Sequence, residues 1–254
     1  MRRSFLTLIT ALALLATSAL APPALADGLG TMTADEQAAF RAEVRDYLLE
    51  NPEVLVEAMQ VLQDRQDKAE ADQDQLLLSQ NHDFIFNDPA SWVGGNPDGD
   101  ITVVEFMDYR CSYCRKASSE VFDLVATDGN IRFVVKEFPI LGEDSVASSR
   151  FAIAMRLLHG DAAYEAAHHE LITLRGAPDA DTLGRLAVKL GFEAQPVLDR
   201  MASDEVTQII AANHAVAGLL NITGTPTFFV GDTILRGYLP ADEMKRIVAE
   251  ARAG

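Results

Sequence analysis

Ile101-Thr102-Val103-Val104-Glu105-Phe106-Met107, followed after three residues by Cys111-Ser112-Tyr113-Cys114, is the stretch that decides the fold. The first seven residues are almost continuously apolar and rich in β-branched side chains, which predicts a strand buried on both faces. Residues 115–127 carry a helical pattern, and residues 131–138 form a second apolar run closed by Pro139. The product is a β-α-β unit with both cysteines at the strand-to-helix junction.

Working outward, Asp83-Phe84-Ile85-Phe86 is a short strand candidate. Residues 89–100 hold the Gly-Gly, Asn-Pro and Asp-Gly dipeptides of a loop. Residues 145–219 read as helices without a strand, at about 145–159, 162–174, 180–190 and 196–219. Residues 227–230 and 233–236 return to strand around the hairpin dipeptide Gly231-Asp232, and 240–251 is a last helix. Upstream, Thr33-Ala34-Asp35-Glu36 is a capping box opening a helix to about Glu50, and Pro52 suits the first turn of a second. That second helix carries Leu55, Met59, Leu62, Gln66, Ala69, Gln73 and Leu76 at alternating steps of four and three. It reads either as a coiled-coil seam or as a solvated amphipathic spacer.

Composition narrows the function. The chain has 254 residues, 48% of them hydrophobic, enough for one or two domains with a sizeable core. Lys+Arg 21 against Asp+Glu 38 gives a net charge of −17, which opposes nucleic-acid binding and docking on anionic lipid. Arg2 and Arg3, the apolar run over residues 5–21 and the small residues of Ala24-Leu25-Ala26 read as a signal peptide cleaved after Ala26. Arg2-Arg3-Ser4-Phe5-Leu6 also resembles a twin-arginine signal, so both export routes stay open. The expected organisation is 1–26 signal peptide, 27–81 helical extension and oligomerisation segment, and 82–254 redox domain. A periplasmic location follows, where disulfides form and persist.

Cys111 and Cys114 lie one helical turn apart, close enough to be oxidised to a disulfide. At the first turn of a helix, free backbone N–H groups and the dipole favour an anion. Cys111 is therefore the attacking thiolate, and Cys114, further inside, resolves the mixed disulfide. A structural disulfide would close too short a loop to stabilise much, and no second cysteine or histidine pair completes a zinc site. No metal and no cofactor are expected. The histidines read as surface or capping groups, and Trp92 as packing. Tyr109 and Phe138 are expected to edge an apolar peptide groove beside Cys111.

Val104-Glu105-Phe106 before Cys-x-x-Cys, with Gly224-Thr225-Pro226-Thr227-Phe228-Phe229 far downstream, resembles the DsbA-like branch of the thioredoxin superfamily. The resemblance implies an α/β thioredoxin fold with an inserted helical domain at about 145–219, preceded here by the helical extension. It implies a cis Pro226 opposite the cysteines, with Thr225 pairing to substrate backbone. It also implies that Glu105, six residues before Cys111, lies beneath the site and relays the Cys114 proton. The structural alternatives for Glu105 are an outward carboxylate or a partner for Lys136. Ser112-Tyr113 supplies neither proline nor histidine, so a mild oxidising potential is expected.

The extension resembles that of the oligomeric suppressor-of-copper-sensitivity C proteins. That likeness implies a homo-oligomer (dimer or trimer) acting as a disulfide isomerase or reductase on protein substrates. A membrane thiol reductase, or an oxidase, is the implied partner. The alternatives are a monomeric dithiol oxidase and a Cu(I)-binding copper-tolerance protein, since two thiolates suit Cu(I).

Overall fold

The computed structural model describes residues 32–253, so the signal-peptide reading falls outside the described residues. The chain divides into two compact units between Gln63 and Asp64. In the first unit, helix α1 (Ala34–Glu50) starts from the capping box read in the sequence. The Glu36 N–H donates to Thr33 Oγ1 at 3.3 Å and the Thr33 N–H donates to Glu36 Oε2 at 2.8 Å. Helix α2 (Glu53–Phe86) begins in this unit, just after Pro52. No residue of α1 is buried, and Phe40, Val44, Leu48, Leu49 and Leu55 line an open apolar groove of about 420 Å³. Met59, on the seam, is 71% exposed.

The second unit is built on five strands: β1 (Trp92–Gly95), β2 (Ile101–Met107), β3 (Ile131–Glu137), β4 (Thr227–Val230) and β5 (Thr233–Arg236). Their order is β1-β3-β2-β4-β5, with β2 and β3 parallel and the other pairs antiparallel. Helix α3 (Ser112–Asp128) makes the crossover between the parallel strands. Between β3 and β4 come α4 (Glu143–His159), α5 (Asp161–Thr173), α6 (Ala180–Lys189), α7 (Ala194–Met201) and α8 (Asp204–Leu219), and α9 (Ala241–Ala253) ends the chain.

Alternation along the strands gives two cores. Val103 and Met107 of β2, Phe133 and Val135 of β3, and Phe228 of β4 pack with Cys114 and Val121 of α3, with α4 to α7, and with Met244 and Val248 of α9. Val104, Phe106, Val134 and Phe229 face the other way, against Leu78, Ile85 and Phe86 of α2, Val216 and Ala217 of α8, and Leu220 that caps α8.

Three elements differ from the sequence reading. Asp83-Phe84-Ile85-Phe86 is not a strand but the last turn of α2, after a kink at Asn81 (φ −117°, ψ 15°). There the burial of Ile85 and Phe86 on the sheet, with Phe84 left exposed, overrides β propensity. Within the expected loop, β1 forms because Trp92 is buried and the strand pairs with β3. Gly95 ends β1 at φ +67°, where a Cβ would meet the Ile131 carbonyl oxygen at 2.4 Å. The long helix expected over 196–219 is broken, because Ser203 accepts a hydrogen bond from the Val206 N–H and starts α8 afresh.

Candidate functional site

Helix α3 has Cys111 as its N-cap residue, without a side-chain capping hydrogen bond. The backbone of the turn is fixed by the Cys111 N–H donating to the Asp108 carbonyl at 3.1 Å. Asp108 is itself buried. Its carboxylate accepts from the Arg110 N–H (2.7 Å) and from the N–H groups of Ile140 and Leu141 (2.8 and 3.0 Å). The β2–α3 turn is thereby tied to the chain leaving β3. Both cysteines are free thiols.

Strand β4 runs antiparallel to β2 with Thr227 beside Phe106, which brings the preceding Thr225–Pro226 segment to the α3 N-terminus. The Thr225–Pro226 peptide is cis. In its protonated form Cys111 donates to the Thr225 carbonyl at 3.1 Å. Pro226 is buried and Thr225 half-buried, and the Pro226 carbonyl accepts from the Gly237 N–H at 2.9 Å.

The two thiols differ sharply. A hydrogen bond from the Cys114 thiol, aided by the Thr225 side chain and the N–H groups of Cys114 and Tyr113, brings Cys111 down to about 5 against the opposing effect of burial. Burial, the hydrogen bond to Cys111 and the Glu105 charge push Cys114 far up. Cys111 is thus a thiolate at neutral pH, and Cys114 holds its proton until something takes it.

Glu105 faces the layer that contains Cys114 and is 3% exposed. Burial first, then the charges of Cys111 and Glu137, raise its carboxyl to about 8. It does not serve Lys136. That buried ammonium lies on the opposite sheet face and donates to Asp88 at 2.6 Å and to the Phe84 carbonyl at 2.7 Å. Among the described residues no group of three or more His, Cys, Asp or Glu side chains is placed to hold a metal ion.

Tyr109 is not at the edge of a groove. It is fully buried, with its hydroxyl donating to Glu137 Oε1 at 2.9 Å, and Phe138 is buried as well. An exposed aromatic beside Cys111 is Tyr113, 59% exposed and stacked on Tyr238. Trp92 is packing, stacked on Tyr164. His82, His159 and His214 are on the surface, whereas His168 is buried with Nδ1 3.1 Å from the Tyr109 hydroxyl. The group around Glu137 escaped the sequence reading. The signals available were a carboxylate closing a buried apolar strand, and Tyr164 and His168 four apart on one helix face.

The DSBA-like thioredoxin domain family matches residues 102–249, more than half of the chain. The chain belongs to that family. Residues 36–69 match the copper resistance protein ScsC N-terminal domain. A thioredoxin-like oxidoreductase from Silicibacter pomeroyi DSS-3 is 41% identical, covering 68% of this chain and 99% of that one, with a TM-score of 0.64. A linker-deletion variant of Proteus mirabilis ScsC is 25% identical and covers 89% of this chain and 99% of its own, with a TM-score of 0.67. Among curated sequences, the Na(+)/H(+) antiporter NhaA 1 of Salinispora arenicola is 29% identical over 64% of this chain, and the match spans only 25% of that protein. Among the described residues no helix is long and apolar enough to cross a membrane.

Proposed function

We propose that this protein is an exported periplasmic thiol:disulfide oxidoreductase that works on protein disulfides through Cys111 and Cys114, as an isomerase or reductase. The observation that carries the reading is the division of labour between the thiols: an acidic Cys111 at the mouth of α3 and a buried, proton-retaining Cys114 behind it. The Cys111 thiolate attacks a client disulfide, releasing one client sulfur as a thiolate and forming a mixed disulfide. Thr225 and Pro226 are the client platform, since a strand laid beside them brings its cystine to Cys111. For resolution Cys114 gives its proton to Glu105, its sulfur bonds to Cys111, and the second client sulfur leaves. The client is reduced and the cysteine pair oxidised, and a membrane thiol reductase restores the dithiol. Cys111→Ser is expected to abolish insulin reduction, while Cys114→Ser accumulates mixed disulfides with clients on non-reducing gels. Trapping through Cys111→Ser instead would reverse the assignment.

The isomerase direction is supported by the first unit, whose apolar residues stay exposed within it. A homo-oligomer that gathers several Cys111 sites around one client favours reshuffling over net oxidation. Removal of 27–63 spares Leu78, which belongs to the core of the second unit. The shortened protein is expected to be monomeric by light scattering, to keep dithiol chemistry and to lose reactivation of scrambled ribonuclease. Full reactivation by the shortened form would detach the isomerase reading from the extension.

A further inference from the structure

Glu105 is not the only carboxyl in the redox layer. The parallel register sets Glu105 beside Val135 and Met107 beside Glu137, so Glu105 and Glu137 point to the same sheet face from neighbouring strands. Both are buried. Their surroundings differ. Glu105 has no hydrogen-bond partner among the described residues, whereas Glu137 has three. Its Oε1 accepts from the hydroxyls of Tyr109 (2.9 Å) and Tyr164 (2.6 Å), and its Oε2 accepts from Ser149 at 2.7 Å. Hydroxyl donors stabilise a carboxylate and do nothing for the neutral acid that a bare apolar site prefers. When the two carboxyls hold one proton between them, it therefore rests on Glu105 and the charge rests on Glu137.

The other groups around Glu137 leave this arrangement intact. From the β2–α3 turn, Asp108 accepts from backbone N–H groups, and burial together with its charge lifts Glu137 to about 7 against the three hydroxyl donors, still below Glu105 at about 8. From α5, His168 is pulled down to about 3 by burial and is neutral, and Tyr164 keeps its proton, as does Tyr109 of the β2–α3 turn. From α8, Asn213 donates to the Glu137 backbone carbonyl, not to the carboxylate. Arg115 of α3 donates to the Tyr109 and Leu174 carbonyls, and Lys136 is engaged with Asp88 across the sheet.

We propose that Glu137 is a positioning residue for the resolution step: its charge, held in place by Tyr109, Tyr164 and Ser149, makes Glu105 a stronger base toward the Cys114 thiol. This rests on the reading that Glu105 takes that proton. In the mixed disulfide, Cys111 is bonded to the client and carries no charge, so Glu137 remains as the anion acting on Glu105. The S–H proton of Cys114 moves to the Glu105 carboxylate as the Cys114–Cys111 bond forms. The Cys111–client bond breaks and the client sulfur leaves with the electron pair.

The test is the collapse of a Cys111–thionitrobenzoate adduct, followed by release of the coloured thiolate in a stopped-flow instrument across pH. The rate rises with pH through the titration of Glu105 and then levels. In Glu137→Gln the rising limb is expected to move down by about one pH unit, and the plateau to fall about threefold, because a weaker base is ionised earlier but pulls less. Tyr164→Phe, which keeps the carboxyl and removes one donor, is expected to move the limb the same way by a smaller amount. A lower plateau with an unmoved limb in both variants would mean that Glu137 only ties helices to the sheet, and would overturn the proposal. Glu105→Gln separates the two ideas, since it must erase the limb if Glu105 is the acceptor. A limb that survives Glu105→Gln would overturn the underlying reading whatever Glu137 does.

Discussion

The two faces of the central sheet each bury charge, and they treat it in opposite ways. On the face shared with α2 and α8, Lys136 is closed off by Asp88 and the Phe84 carbonyl, an ion pair with its hydrogen bonds made. On the face shared with α3, Glu105 and Glu137 lie in the same layer as both thiols without a cation bonded to either carboxylate among the described residues. A compensated buried charge is inert at ordinary pH. An uncompensated one sits near its titration point and can exchange a proton. The proposed chemistry falls on the second face, where the buried charge is left uncompensated.

The largest expected effect strikes the silent face. Lys136→Ala leaves Asp88 without its cation and the Phe84 carbonyl without its donor, and should destabilise the fold by about 3–5 kcal/mol in chemical denaturation. Lys136→Met combined with Asp88→Asn should recover most of that loss, since no buried charge is then left alone. If the single variant were as stable as the parent, the pair would not be what holds this end of α2 to the sheet.

The opposite sign is expected on the reactive face. The folded state raises Glu105 from near 4.5 to about 8, so between those values the folded protein binds more protons than the unfolded chain and stability falls as pH rises. Glu105→Gln removes this penalty. Relative to the parent at the same pH, the variant should gain on the order of 2–4 kcal/mol at pH 9 and almost nothing at pH 4. Both proteins are compared fully reduced, so that the Cys111 charge that helps to raise Glu105 is present throughout. A gain equal at both values would show that Glu105 is not buried as an acid.

The smallest effect concerns Cys111. The Cys111 thiolate, followed by its ultraviolet absorbance, should titrate near pH 5. Thr225→Val removes one of the groups that favour the anion and should raise the midpoint by about 0.5–1 unit. An unchanged midpoint would confine Thr225 to the client platform.

How much of this was legible in the sequence follows from how local each feature is. β2, the Cys-x-x-Cys turn, α3 and β3 could be read because period, length and turn chemistry agree within each segment. The hairpin of β4 and β5 could be read from Gly231-Asp232 for the same reason. β1 could not, because four residues with two glycines become a strand only when β3 supplies hydrogen bonds and Trp92 finds its cavity. Ser203-Asp204-Glu205 did hold a local signal, an N-cap residue followed by two acids, that the long helix assignment passed over. Glu105 was legible as a carboxyl interrupting a buried strand, but its lack of a cation depends on Asp88 claiming Lys136. Tyr109 stands two residues before Cys111 in sequence but turns inward, because its hydroxyl has an acceptor in Glu137. Sequence proximity to a reactive sulfur says nothing about which way a side chain points.

The chain contains a single tryptophan, and it is stacked on Tyr164 with ring centroids 5.3 Å apart. Tyr164 donates to Glu137, so an indole lies one aromatic ring away from the charge in the redox layer. Indole emission responds to nearby charge and to hydrogen-bonded phenols. The protein is therefore expected to carry an internal optical gauge: its fluorescence should change as Glu137 gains or loses charge, without a label and from a buried position.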